Sequence, residues 1–115
     1  EVSLAPRLTV SESTHDFGTI LMGDVVSKNF LLTNSGKKDL VIRQTRATCG
    51  CTASVAKKSI LGPGEATSLS ITFDSKGRIG DQEKMVYIFT NDPVNPTQKI
   101  KIKVRILNEG TSKSK

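Results

Sequence analysis

Apolar residues in this chain recur at every second position in short bursts. Glycine, proline, asparagine and aspartate separate the bursts. Leu69, Ile71 and Phe73 alternate with Ser68, Ser70 and Thr72. Ile100, Ile102, Val104 and Ile106 alternate with Lys99, Lys101, Lys103 and Arg105. A period of two puts each set on one face of an extended chain, so both stretches are predicted to be half-buried strands. Phe30 and Leu32 carry the pattern through 26–34, and Leu40 and Ile42 repeat it. Leu8 and Val10 predict a short first strand, and Phe17 and Ile20 anchor a stretch that Gly18 lets bend. The predicted core is Phe30, Leu32, Leu40, Ile42, Leu69, Ile71, Phe73, Val86, Ile88, Ile102 and Val104. Gly23-Asp24, the run 34–37, Gly62-Pro63-Gly64-Glu65 and the run 91–96 carry turn chemistry. About seven short strands result, with no segment of helical period. This is the pattern of an all-β, two-sheet sandwich.

One run departs from strict alternation. Met85-Val86-Tyr87-Ile88-Phe89 is apolar on both faces. Cover on both sides would explain it. So would an outer face on which Met85, Tyr87 and Phe89 form an apolar patch of the kind that marks protein contacts.

Length and composition narrow the picture without changing it. The 115 residues suffice for one domain, taken as 1–107, with 108–115 expected to be a disordered polar tail. No apolar run approaches the ~18 residues of a membrane span. No export signal is visible at Glu1, which fits a cytoplasmic protein and equally a mature chain whose signal is gone. The net charge of +6 invites a polyanion reading. Lys and Arg are dispersed, however, and stacking aromatics are not interleaved with them, so a solvated surface is expected and no nucleic acid. The comb of Lys99, Lys101, Lys103 and Arg105 is read first as charge guarding an exposed strand against edge pairing. The second reading is a patch for an acidic partner.

The candidate chemistry is confined to Cys49 and Cys51, the only two cysteines. Two apart in extended chain, their Cα atoms lie about 6–7 Å from each other, near the upper limit for a disulfide. A turn at Gly50 could close one, strained and easily reduced. Two thiolates at that reach could instead grip a soft ion such as Cu(I). Zinc asks for four donors, and only His15 and carboxylates are at hand to complete a set. Plain structural or idle thiols are the first reading, ahead of both. His15, the lone histidine, is read as structural. No G-x-S-x-G, P-loop or H-E-x-x-H motif is present, so neither an enzyme nor a cofactor is expected.

Several pieces together form a wider likeness. They are Phe17-Gly18, Gly23, the run Phe30-Leu31-Leu32-Thr33-Asn34-Ser35-Gly36 and Leu40-Val41-Ile42. Cys49-Gly50-Cys51-Thr52, Pro63-Gly64-Glu65, Phe73-Asp74 and Thr90-Asn91-Asp92 complete it. The combination, from Leu8 to Leu107, resembles a bacterial immunoglobulin-like family of unknown function marked by a C-G-C-T motif. That family is itself similar to Hydin-like and major-sperm-protein-like domains. The resemblance implies an immunoglobulin-like sandwich of exported, periplasmic or envelope proteins, and it implies no reaction. The expected function is a non-enzymatic exported interaction or structural module whose partner is another protein. Met85, Tyr87, Phe89, Lys99, Lys101 and Lys103 are its candidate interface. The alternative is a soft-metal or redox module built on Cys49 and Cys51. Native mass spectrometry in Cu(I) and reductant separates the two. Metal gripped by the thiols gives a Cu(I) adduct that Cys49→Ser loses, and an unchanged adduct in that variant contradicts the metal reading.

Overall fold

The alternation is realised in full. The structure, a computed structural model, describes residues 4–48 and 52–108, the side chains of 53–55 excepted. Among them are nine strands: β1 (Leu8–Val10), β2 (Thr14–Leu21), β3 (Val25–Asn34), β4 (Leu40–Ala47), β5 (Thr52–Ala56), β6 (Ile60–Leu61), β7 (Ala66–Asp74), β8 (Gly80–Thr90) and β9 (Thr97–Leu107). The seven expected strands all form. The two extra ones, β5 and β6, come from 52–61, where alternation is too weak or too brief to show a period. No helix of the described residues is long and apolar enough to cross a membrane.

Two sheets share the strands. One has the order β1-β3-β7-β5 and is antiparallel throughout. The other has the order β2-β9-β8-β4-β6, with β2 parallel to β9 and the remaining pairs antiparallel. All eleven predicted core residues are 6% exposed or less. Leu8, Leu61, Ile100 and Ile106 join them. Each such side chain contributes about 1.5–3 kcal/mol by leaving water, which makes the inner faces the main source of stability.

Buried polar side chains tie the loops to this core. Asn34, fully buried, donates from Nδ2 to the carbonyls of Lys38 (2.7 Å) and Leu61 (2.9 Å). Its Oδ1 accepts from the amides of Gly36 (2.9 Å) and Arg7 (3.3 Å). Asp92, 1% exposed, accepts from Leu8 N–H (3.0 Å) on one oxygen, with Arg7 Nε 3.7 Å away. Its other oxygen takes the amides of Val94 (2.9 Å) and Asn95 (3.3 Å). Ser75, also buried, accepts from Gly23 N–H (2.9 Å) and lies 2.7 Å from the Asp24 carbonyl, pinning that turn to the end of β7. Between β3 and β4, a Cβ on Gly36 would fall 2.1 Å from the Ala5 carbonyl oxygen, so the lead-in chain packs where only glycine leaves room.

The bend expected at Gly18 is a bulge. The β2–β9 register shifts between Asp16 and Thr19, Gly18 has φ of 80°, and its N–H donates to Asp16 Oδ1 (2.8 Å). His15 packs edge-on against Phe17 (4.7 Å) and Phe30 (6.0 Å), its Nδ1 3.0 Å from Glu12 Oε1. In the tight turn before β7, Glu65 accepts from Gly62 N–H (2.8 Å) and pairs with Lys58. Lys58 first, then the Gly62 amide, hold the Glu65 carboxyl below its ordinary pKa.

Two stability measurements follow from these contacts. Asn34→Ala strands four backbone groups, two of them in buried and two in part-buried bonds, and is expected to cost about 2–4 kcal/mol in urea unfolding. Gly36→Ala should be comparably severe, because backbone must move to admit the methyl group. Glu65, with its lowered folded-state pKa, stabilises above the unfolded value, and that contribution is lost as pH falls through the folded value. Glu65→Gln should therefore lower the melting temperature slightly at neutral pH and leave it unchanged in strong acid.

Candidate functional site

Inward-facing Val86 and Ile88 on β8, with Ile100, Ile102, Val104 and Ile106 on β9, force the intervening residues onto the outer face of the five-stranded sheet. Met85, Tyr87, Phe89, Lys99, Lys101 and Lys103 all lie there. Register then sets the neighbours. Tyr87 stands opposite Lys99 on β9 and Arg46 on β4. Met85 stands opposite Lys101, and Phe89 opposite Thr97 and Gln44. Such directly opposed side chains have Cβ atoms about 4.5–5.5 Å apart. Met85, Tyr87 and Phe89 are half-buried, neither core nor free of cover. The aliphatic stems of flanking Lys and Arg side chains can cover their flanks.

A register shift between Ile42 and Gln44 extends the apolar surface. Leu40 and Leu61 pair facing inward, so Val41 and its register partner Ile60 face outward beyond Phe89. Ile60 is 55% exposed. A hollow of about 510 Å³ lies on the other side of Tyr87, lined by Ser13, Asn95, Thr97 and Lys99.

The basic comb is not uniform in the fold. Arg105 binds Asp81 (3.1 Å), Lys101 reaches Glu83 (3.7 Å), and Asp16 is the register neighbour of Lys103. One half of the face is thereby charge-balanced, around a second hollow of about 490 Å³. Lys99 and Arg46, flanking Tyr87, enter no ion pair among the described residues. The edge-guarding reading of the comb fails, because β9 lies between β2 and β8. The edge on that side is β2, already interrupted by the Asp16–Gly18 bulge, itself a device against edge pairing.

The opposite outer face has different chemistry. Ser27 and Asn29 on β3 meet Thr72 and Ser70 on β7, and Leu31 is exposed opposite Ser68. It carries hydroxyls and amides where the first face carries aromatics and cations.

Sequence reasoning found the β8 and β9 members of the site and missed Arg46, Val41 and Ile60. Their strands show no strong alternation past Ile42, and the register shift moves residues between faces. Cys49 and Cys51 lie outside the described residues. The chain leaves one sheet near Thr48, whose N–H donates to the Met85 carbonyl (3.0 Å), and enters the other at Thr52. Among the described residues no group of three or more His, Cys, Asp or Glu side chains could hold a metal ion.

The chain belongs to the family described as a protein of unknown function, DUF1573, whose pattern matches residues 8–106. No curated protein matches the sequence. Among solved structures, a protein of unknown function from Porphyromonas gingivalis W83 superposes with a TM-score of 0.80 at 21% identity, over 91% of this chain and 49% of that one. The PapD-like domain 7 of human CEP192 gives 0.68 at 14% identity, covering 90% and 87%. The secreted serine protease VesC from Vibrio cholerae gives 0.65 at 13% identity, covering 90% and 23%. These likenesses show the fold, an immunoglobulin-like β-sandwich of PapD-like kind. The chain spans about half the length of the Porphyromonas protein and under a quarter of the Vibrio one.

An outward Tyr87 has a stability signature. Tyr87→Ala should cost about 1 kcal/mol or less in urea unfolding, whereas Ile88→Ala, one residue on and fully buried, should cost about 2–5 kcal/mol. Equal costs would place Tyr87 in the core.

Proposed function

We propose that this member of DUF1573 is an exported, non-enzymatic interaction module that docks another protein on the outer face of its five-stranded sheet. The observation that carries the reading is the half-buried row Met85, Tyr87 and Phe89, continued by Val41 and Ile60. A contiguous apolar strip held outside the core by strand register gains free energy when a partner covers it. Aromatic and Arg side chains are also the usual anchors of protein contacts. The non-enzymatic part is supported by how the buried polar groups are used. Asn34, Asp92 and Ser75 hold backbone, and the His15 ring is taken up by Glu12, Phe17 and Phe30. Export is what the family resemblance implies.

The test is site-specific photo-crosslinking in the source cell, with the probe placed in the full-length protein at position 87 or 46, or on the other face at 29 or 70. Adducts from 87 and 46 alone are expected, in the envelope or secreted fraction. Adducts from 29 and 70 alone, or from none of the four, would overturn the reading.

A further inference from the structure

We infer that the occupant of this face is an extended acidic segment of the partner protein. Its carboxylates sit between Arg46 and Lys99, and its apolar side chains lie on Tyr87 and Phe89. The inference rests on the interaction-face reading above and adds the chemistry of what binds there.

Charge is the first argument. The acids of this face, Asp16, Asp81 and Glu83, all belong to the half occupied by Lys101, Lys103 and Arg105, and they neutralise it. The half around Tyr87 holds Arg46 and Lys99 with no acid paired to either among the described residues, and Arg43 is exposed on the same strand as Arg46. An arriving carboxylate therefore meets a guanidinium fork on one side of the ring and an ammonium on the other.

Period is the second. Met85, Tyr87 and Phe89 stand in single file on β8 at spacing two, which matches an extended chain whose own side chains repeat every second residue.

A single-stranded nucleic acid fits less well. Its phosphates would run onto Asp16, Asp81 and Glu83, and Met85, Val41 and Ile60 offer bases no ring to stack on.

Fluorescence anisotropy with a labelled peptide of about eight residues, alternating glutamate with leucine or phenylalanine, tests the inference on the full chain. Binding is expected at about 50 mM salt and should weaken by about tenfold or more at 500 mM. Arg46→Glu with Lys99→Glu should weaken it by about tenfold or more. Arg105→Glu, at the balanced end, should change it by less than about twofold. Tyr87→Ala should weaken peptide binding while lowering the melting temperature by less than about 8 °C, far less than Ile88→Ala does. The inference is overturned by equal binding in the doubly reversed variant or by equal binding of the lysine-for-glutamate peptide. Tyr87-dependent binding of oligothymidylate or anionic vesicles in place of the acidic peptide also overturns it. Crosslinks from position 87 in cells without peptide binding remove the acidic occupant and leave the interaction face standing. Absence of both removes both.

Discussion

The pairing of β8 with β9 decides the chemistry of this domain. Ten consecutive register pairs run from Gly80 opposite Ile106 to Phe89 opposite Thr97. Sliding β8 by one residue against β9 would expose Val86 and Ile88 and turn Met85, Tyr87 and Phe89 towards the inner face. The inward residues meet Phe30, Leu69 and Ile71 from the other sheet in one continuous core, so the register is held by the largest favourable term available to the fold. The outer face is what that term leaves over. Tyr87 lies between Lys99 and Arg46 because its neighbours in sequence are needed inside.

The other polar groups that stand out in the chain work for the same frame. Asn34 and Gly36 lash the β3–β4 turn to the lead-in before β1, and Asp92 lashes β1 to the β8–β9 connection. Buried amides and carboxylates invite a reading as catalysts. Here each is saturated by backbone donors and carbonyls, which is how a sandwich closes its ends without leaving polar groups stranded. The roles of Asn34, Gly36 and Asp92 are thus structural.

Much of this was legible from alternation alone. Strands with clean period two, such as 68–73 and 99–106, show their inward face directly, since burial on one face is the rule that writes the pattern, although Ile100 and Ile106 lie in the core beyond the predicted set. The chain is less readable where that rule weakens. Leu61 is wholly buried on a two-residue strand that has no period to show. Arg46 and Ile60 reach the site through a register shift that only the pairing with β8 and β6 reveals. The position of β9 inside its sheet was equally hidden, because a row of lysines looks alike on an edge strand and on a solvent-facing central one.

Nuclear Overhauser contacts from the Tyr87 ring test the central claim most directly. An outward ring in this register gives contacts to the side-chain stems of Lys99 and Arg46 and none to Phe30, Leu69 or Ile71. Strong contacts to those core residues, with Val86 and Ile88 seen by solvent, would contradict it.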